Sequence, residues 1–271
     1  MGALICPVCG GALTEEPSRF LCPKGHSFDR ARSGYVNLLL SSSQGRHGDD
    51  KLMVRARREF LERGYYDRLS EAVCAAAVEA APQQCTLLDA GCGEGKYTLD
   101  VSRALAAAGK SAAILGADIS KDALAYAAKR LPGATFAVAS SAHLPMADAS
   151  ADIVLNIFSP LAAEEFARVL RPSGTLVRVW PLARHLWELK ALIYERPYEN
   201  PPTPLAMPGF TLTDTREVRY AIHLSDGEDV MRLFRMTPYY YKTGKADQEK
   251  AAAAERLDVT LEFGIAVYRR E

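Results

Sequence analysis

A glycine-rich loop is the part of this sequence best suited to do chemistry. Two leucines at positions 87 and 88 are followed by an acid, Asp89, and then by glycines at alternate positions, Gly91, Gly93 and Gly95. Because glycine has no Cβ, a ligand can contact the backbone of such a loop. A helix-compatible segment follows, and the N-terminus of a helix offers free N–H groups and the positive end of a dipole. The loop therefore predicts a ligand site where a buried strand turns into a helix.

The spacing of the glycines distinguishes two classes of cofactor. A dinucleotide fingerprint, Gly-x-Gly-x-x-Gly, needs a third glycine at position 96, where the chain has Lys96. The observed pattern, acid-x-Gly-x-Gly-x-Gly, resembles motif I of the S-adenosylmethionine-dependent methyltransferases. A second apolar run ends at Asp118, where a carboxylate at the end of the next strand can accept both ribose hydroxyls. The alternative, an ordinary strand-to-helix turn with an incidental acid, is weakened because loop and second acid occur together.

Cysteine and histidine form two short pairs near the N-terminus. Cys6 and Cys9 make the first pair, Cys22 and His26 make the second, and twelve residues separate the pairs. Thiolates and an imidazole at this spacing can close a tetrahedron around Zn²⁺. Four protein ligands leave no open position on the metal, so the spacing predicts a structural zinc site. A chance arrangement is the poorer explanation in a chain with six cysteines.

Alternating strand and helix patterns predict the elements that position these residues. We predict seven strands, at 86–89, 113–118, 134–138, 152–157, 174–180, 210–223 and 259–269. Helices are predicted at 52–63, 66–80, 96–108, 121–131, 161–170, 185–194, 226–236 and 245–257. This order indicates an α/β fold with a doubly wound sheet. Together with the resemblance to motif I, it implies a Rossmann-like class I methyltransferase with a seven-stranded, mostly parallel sheet. The predicted domains are a zinc-binding domain at 1–38, a linker at 39–52 and a methyltransferase domain at 53–271.

Composition narrows the class of protein. The 33 Lys and Arg balance 33 Asp and Glu, which argues against a strongly basic nucleic-acid binder. No apolar stretch approaches the roughly 20 residues that span a bilayer, so we expect no membrane partner. The segment 6–11 interrupts any signal-peptide core. We therefore expect a cytoplasmic protein whose cysteines are metal ligands or free thiols.

Several segments in order resemble the bacterial 23S ribosomal RNA guanine-N1 methyltransferase family, which includes tylosin-resistance relatives. After the zinc pairs come Gly-Tyr-Val-Asn-Leu-Leu at 34–39, Ala-Arg-Arg-Glu-Phe-Leu at 56–61, Asn-Ile-Phe-Ser-Pro at 156–160, Arg-His-Leu at 184–186 and Met-Thr-Pro at 236–238. The resemblance covers nearly the whole chain. It implies that a homodimer transfers a methyl group from S-adenosylmethionine to N1 of a guanine in a hairpin loop of domain II of 23S rRNA. For some relatives it also implies macrolide resistance.

The resemblance implies roles for particular residues. The implied zinc ligands are Cys6, Cys9, Cys22 and His26. The family implies cofactor contacts at Tyr66, Gly93, Glu94 and His185. The glycine loop adds Asp89 and Gly91, and the wider superfamily implies Asp118 as the acid that binds the ribose. Other roles stay open for three of these residues. Tyr66 could pack in the core, His185 could be structural, and Asp89 could orient the loop by accepting backbone N–H bonds.

Asn156 is the candidate for guanine recognition, because it lies at the carboxyl end of the fourth predicted strand, the edge where parallel sheets bind ligands. The turn 158–160 could support a flipped base. No residue is predicted to be the general base. RNA contacts are predicted for the zinc unit and for five arginines of the first helices, Arg55, Arg57, Arg58, Arg63 and Arg68. The alternative is a solvated helix surface on which these arginines pair with Glu59 and Glu62.

Two other functions stay open at this stage. A small-molecule methyltransferase could use the zinc unit as a lid or dimer contact, and the zero net charge is compatible with it. A non-catalytic zinc-ribbon RNA-binding protein could retain a vestigial cofactor fold, but its loop glycines and Asp118 would not then need to be intact.

Overall fold

A computed structural model describes residues 4–40 and 48–271 of the chain. The N-terminal part forms a small antiparallel sheet of three short strands in the order β1-β2-β3. These strands are β1 (Thr14–Glu15), β2 (Arg19–Leu21) and β3 (Ser27–Asp29). Of the predicted zinc ligands, Cys6 and Cys9 precede β1, and Cys22 and His26 lie in the loop that joins β2 to β3.

The large sheet has eight strands in the described residues, so the prediction of seven is wrong. The strands are β4 (Val36–Asn37), β5 (Gln84–Ala90), β6 (Ser111–Asp118), β7 (Thr135–Val138), β8 (Ala151–Ile157), β9 (Leu170–Pro181), β10 (Phe210–Leu224) and β11 (Leu257–Arg270). Their order is β10-β11-β9-β8-β5-β6-β7-β4. The strand β11 is antiparallel to both of its neighbours, and the others pair in parallel. The doubly wound, mostly parallel architecture is confirmed.

The extra strand, β4, comes from the segment that joins the zinc unit to the rest of the chain. It pairs in parallel with β7, with Val36 opposite Ala137 and Asn37 opposite Val138. Two residues are too few for a periodic pattern, so the strand is not visible in the sequence. The domain boundaries at 38/39 and 52/53 stay predictions, and residues 41–47 of the predicted linker lie outside the described residues.

Helices pack on both faces of the large sheet. They are α1 (Lys51–Glu62), α2 (Asp67–Ala80), α3 (Lys96–Ala107), α4 (Lys121–Arg130), α5 (Ala163–Val169), α6 (Trp187–Ile193), α7 (Gly227–Arg235), α8 (Tyr239–Lys242) and α9 (Lys245–Ala252). The helix α1 begins where Asp50 caps it, accepting a hydrogen bond from the Met53 N–H at 2.8 Å. None of the helices in residues 4–40 and 48–271 combines the length and the hydrophobicity that a membrane span requires.

The core lies in layers on the two faces of the central strands. Leu87 and Val177 belong to the layer under α1, α2, α3, α6 and α7. Leu88 belongs to the opposite layer, which contains α5 and buried residues of the zinc unit such as Phe20. The backbone N–H of Ile5 also donates to a carbonyl between β7 and β8, at 2.9 Å. The zinc unit is therefore packed against the sheet and shares its core.

Candidate active site

The glycine-rich loop joins β5 to α3 at the carboxyl edge of the sheet, as predicted. Gly91, Gly93 and Gly95 have φ angles of +93°, +55° and +80°, which favour glycine. A Cβ on Gly91 would lie 2.3 Å from the Cβ of Ser159. A Cβ on Gly93 would have the Arg57 guanidinium as its nearest neighbour, at 3.9 Å. The loop is therefore tightly packed at Gly91 and open towards a ligand at Gly93.

Asp118 lies at the end of β6 and fastens the loop to it. Its Oδ2 accepts a hydrogen bond from the Gly93 N–H at 2.9 Å, and its Oδ1 accepts one from the Ser120 N–H at 2.8 Å. Burial raises the pKa of Asp118, although these two hydrogen bonds oppose the shift. Each carboxylate oxygen can accept a second hydrogen bond. Asp118 can thus hold the loop and still accept ribose hydroxyls, which is its predicted role.

Asp89 is buried at the end of β5 with only one of its oxygens used. Its Oδ2 accepts a hydrogen bond from the Thr98 hydroxyl at 2.6 Å. In the described part of the chain, its Oδ1 is buried and has no hydrogen-bond partner. Burial raises the pKa of Asp89 to about 7. An oxygen of this kind at a cavity wall suits a cationic group such as the ammonium of S-adenosylmethionine, whose charge would stabilise the carboxylate.

Tyr66 and His185 form one aromatic wall of the site. Both are buried, with ring centroids 6.4 Å apart, and both contact the ring of Phe263. The Nδ1 of His185 accepts a hydrogen bond from the Glu262 N–H at 3.2 Å. Burial lowers the pKa of His185 to about 3, so the imidazole is neutral and carries its proton on Nε2. His185 therefore offers a donor to a ligand.

Arg57 lies in the site, although its sequence pattern indicated an RNA-binding surface. The guanidinium pairs with Asp49 and approaches the loop that carries the buried Glu94. Burial acts to lower the pKa of Arg57, but the charges of Asp49 and Glu94 raise it. The other four arginines also have partners within the chain: Arg55 pairs with Glu59, Arg63 with Asp229, and Arg58 and Arg68 stack over Tyr126 and Tyr220. Of these four, only Arg55 and Arg58 approach Glu59, as the alternative of a paired helix surface requires, and the RNA contacts stay a prediction.

Asn156 holds a turn with its amide nitrogen and leaves its amide oxygen available. The Nδ2 donates to the Ser159 hydroxyl at 2.5 Å and to the carbonyls of Ser159 and Pro160 at 3.3 Å. The Ser159 hydroxyl donates in turn to the Ala90 carbonyl at 2.6 Å. Two carbonyl acceptors establish which amide atom is the nitrogen. Among the described residues, no hydrogen bond reaches the Asn156 Oδ1, so that acceptor can serve a ligand.

Phe158 is held in a strained conformation at the same turn. Its φ angle is +53°, which a residue with a Cβ rarely adopts, and 44% of its surface is exposed. The ring lies 5.6 Å from that of Phe263 and 6.5 Å from that of Tyr97. Strain of this kind persists where the surrounding structure enforces it, often at binding sites. The turn thus presents an aromatic face beside Asn156.

One cavity brings these groups together. It has a volume of about 1100 Å³, which is enough for a nucleoside cofactor and a second base. Its walls include all the predicted cofactor residues and the candidate for guanine recognition: Tyr66, Asp89, Gly91, Gly93, Glu94, Asp118, His185 and Asn156. The sequence analysis did not predict Thr98, which donates a hydrogen bond to Asp89, or Arg178, which lines the cavity. A hydroxyl in the first turn of α3 was a usable signal for Thr98, but no local pattern marks Arg178.

The four predicted zinc ligands also converge. The ligand atoms of Cys6, Cys9, Cys22 and His26 lie within 4.8 Å of one another. The Sγ atoms of Cys9 and Cys22 are 3.7 Å apart, close to the roughly 3.8 Å edge of a tetrahedron with Zn–S bonds of about 2.3 Å. Burial acts to raise the pKa of Cys22, but hydrogen bonds from the backbone of His26 and Lys24 lower it to about 6. The donor set therefore fits a structural Zn²⁺.

Two sequence profiles match the chain. The profile described as "RlmA, N-terminal", a zinc ribbon, matches residues 4–42, and the profile described as "Methyltransferase domain" matches residues 87–174. The fold and the site thus define a methyltransferase with an N-terminal zinc ribbon, dependent on S-adenosylmethionine.

Three relatives identify the family. The chain is 41% identical over 206 residues to a candidate 23S rRNA (guanine-N1)-methyltransferase of Micromonospora griseorubida, covering 69% of this chain and 68% of the relative. It is 31% identical over 270 residues to a candidate enzyme of the same activity from Bacillus subtilis, covering 97% and 95%. It is 38% identical over 190 residues to the 23S rRNA (guanine(748)-N1)-methyltransferase of Streptomyces fradiae, covering 69% and 66%. The chain belongs to the 23S rRNA (guanine-N1)-methyltransferase family, and the resemblance in its sequence is confirmed.

Proposed function

We propose that this protein transfers a methyl group from S-adenosylmethionine to N1 of one guanine in 23S rRNA. The observation that carries the proposal is the composition of a single cavity. One side of it holds the open glycine loop and Asp89, and the adjacent side holds Asn156 and Phe158. Because β5 and β8 are neighbours in the sheet, a cofactor on the first side lies next to a base on the second.

On the cofactor side, the residues of the cavity bind S-adenosylmethionine and orient it. Asp89, through its unpaired Oδ1, would hold the ammonium of the cofactor, and Asp118 would hold its ribose. The Nε2–H of His185 would be a donor to the cofactor. Tyr66 and Glu94 complete the walls. The cofactor, when bound, supplies an electrophilic methyl carbon on a sulfur that leaves without charge. The contribution of these residues is alignment of that carbon with the nucleophile.

On the guanine side, Asn156 and Phe158 recognise a base that has left its stack. The Asn156 Oδ1 accepts a hydrogen bond from the exocyclic 2-amine of guanine, a donor that adenine lacks at that position. The exposed ring of Phe158 provides a face on which the base stacks. Both residues belong to one turn, so the hydrogen bond and the stacking surface are positioned together.

The substrate within 23S rRNA is proposed to be a hairpin loop of domain II, since a single-stranded loop allows a base to be extruded at low cost. We propose that the protein acts as a cytoplasmic homodimer, as the family resemblance implies. Light scattering of the purified full chain, alone and with RNA, tests the dimer. Growth of cells with and without the protein on a macrolide tests the resistance that some relatives imply.

Incubation of the full chain with labelled S-adenosylmethionine and unmethylated 23S rRNA tests the proposed function. We expect one 1-methylguanosine, located by mass mapping of nuclease fragments. Fully methylated rRNA and a metabolite mixture serve as controls. Label at another atom of the RNA, or label in the metabolites alone, would show that the protein is a different methyltransferase. Absence of transfer together with absence of cofactor binding would favour the non-catalytic RNA-binding function.

A further inference from the structure

Arg178 lies beside Asn156 in the sheet, and the roles described above do not include it. The strands β8 and β9 are parallel neighbours, and their register places Arg178 opposite Asn156. Register partners point to the same face of a sheet, so both side chains leave the sheet on one side. Both residues line the cavity.

The guanidinium of Arg178 is not neutralised by an acid. Its Nη1 donates to the Pro204 carbonyl at 3.3 Å, and its Cζ lies over the ring of Trp180, 5.6 Å from the centroid. Across residues 4–40 and 48–271, no carboxylate lies within ion-pair distance of it. Arg57, which also lines the cavity, is by contrast paired with Asp49. Arg178 therefore brings uncompensated positive charge to the guanine side.

The surface beneath Arg178 is fixed by the sheet. Trp180 lies opposite Gly264 of β11, and a Cβ at Gly264 would come within 2.5 Å of the indole ring. The indole therefore packs directly against the backbone of Gly264. A guanidinium stacked on a fixed indole loses less conformational freedom when it binds a ligand than one on a mobile surface.

We propose that Arg178 binds O6 of the target guanine and stabilises the negative charge that O6 gains when N1 loses its proton. This inference rests on the proposed function. The N1 proton passes to water, and the electron pair left behind is shared between N1 and O6. That pair then forms the bond from N1 to the methyl carbon while the carbon–sulfur bond breaks and its electrons stay on sulfur. Asn156 positions the guanine by accepting a hydrogen bond from the exocyclic 2-amine, which leaves N1 free to lose its proton and to face the methyl carbon.

A cation at O6 explains how the reaction can proceed without a dedicated base. A donor directed at the atom where charge develops is commonly worth about 10²- to 10³-fold in rate. The geometry is also selective, because arginine is a frequent partner of guanine O6. Adenine carries an amine at that position and would place a donor against the guanidinium.

The test is single-turnover methyl transfer to unmethylated 23S rRNA, measured against pH for the wild-type full chain, Arg178→Gln and Arg178→Lys. We expect Arg178→Gln to slow transfer by roughly 10²-fold at neutral pH. The deficit should shrink as the pH rises, because N1 then ionises without help. Arg178→Lys keeps a positive charge, so its rate of methyl transfer should fall less than that of Arg178→Gln. Calorimetry should give all three proteins the same cofactor affinity, which shows that the site is folded.

Arg184→Gln is the matched control, because Arg184 also stacks on a tryptophan, Trp187, but does not line the cavity. Its transfer rate and pH profile should match those of the wild type. A deficit of Arg178→Gln that is equal at every pH, or no deficit, overturns the role of Arg178 while leaving the proposed function intact. A wild-type protein that methylates no guanine N1 overturns both.

Discussion

Asp89 shows how one side chain can combine a structural contact with a binding role. The hydrogen bond from Thr98 holds one oxygen, and the second oxygen stays buried without a partner in the described structure. A buried carboxylate that is half satisfied is costly to keep charged, which is why its pKa rises to about 7. A cationic ligand removes that cost, so binding of the cofactor and ionisation of Asp89 should be coupled.

Replacing Asp89 with Asn should weaken S-adenosylmethionine binding by roughly 10- to 100-fold, since hydrogen bonds to charged groups contribute about 1.5–3 kcal/mol. The affinity of the wild type should rise as the pH rises through about 7, because the carboxylate that receives the ammonium ionises over that range. The variant should lack this rise. Calorimetric titration at several pH values measures both effects, and an identical pH dependence in the two proteins would contradict the assignment.

Asn156 can be tested separately from the turn that it supports. Asn156→Ala should reduce methyl transfer by about 10²-fold while cofactor affinity stays within a few-fold of the wild type, because the hydrogen bond that positions the guanine is lost. Ser159→Ala is the control, since it removes the hydroxyl that Asn156 holds but retains the amide. Single-turnover transfer and calorimetry distinguish the two variants. Equal losses in both would show that Asn156 acts only by supporting the turn.

At the scale of elements, the site depends on the packing of the β5–α3 loop against the turn after β8. Gly91 meets Ser159, and the Ser159 hydroxyl donates to the Ala90 carbonyl. The cofactor loop and the guanine turn are therefore one packed unit. A substitution in the loop or in the turn should therefore change the binding of both the cofactor and the guanine.

Gly91→Ala should destabilise the protein by about 1–3 kcal/mol, the usual cost of overpacking, and should also abolish tight cofactor binding. The new Cβ would lie 2.3 Å from the Ser159 Cβ, so the turn or the loop must move. Gly109→Ala is the matched control. Gly109 also has a positive φ, of +73°, but a Cβ there would meet nothing within 4 Å. For Gly109→Ala, urea unfolding should show some loss of stability, and calorimetry should show unchanged cofactor affinity. If both variants lose the same stability and the same affinity, the packing argument is refuted.

At the scale of the whole molecule, the zinc ribbon and the methyltransferase fold are joined through a common core. The strand β4 completes the large sheet, and Phe20 of the ribbon shares a buried cluster with Leu88 of β5. The metal site should therefore influence the stability of the entire chain. A ribbon tethered by a linker alone would unfold independently.

Cys22→Ser should remove zinc and lower the melting temperature of the methyltransferase part by several degrees, because metal binding and folding of the ribbon are coupled. Cys74→Ser is the control, since Cys74 lies on α2 outside the ligand cluster. Elemental analysis gives the zinc content, and thermal unfolding followed through the bound cofactor reports on the large sheet. An unchanged melting temperature in zinc-free protein would show that the two parts are energetically independent.

The sequence by itself determined the features that depend on short spacing. The zinc ligands form two short pairs, and a single loop can hold each pair. The glycine loop, Asp89 and Asp118 lie at strand-to-helix turns, which a local pattern reveals. The seven longer strands were predictable because each carries an apolar run or, in β10, an alternating pattern of its own. These signals are local, so neighbouring residues are enough to produce them.

Tertiary structure alone decided which distant residues share the site. The strand β4 has only two residues and exists because β7 offers it a partner. Arg57 lies in the cavity because α1 packs beside the loop, and Arg178 faces the same side as Asn156 because of the register between β8 and β9. Sheet register and helix packing are set by the sum of many long-range contacts. A pattern along the chain does not contain them.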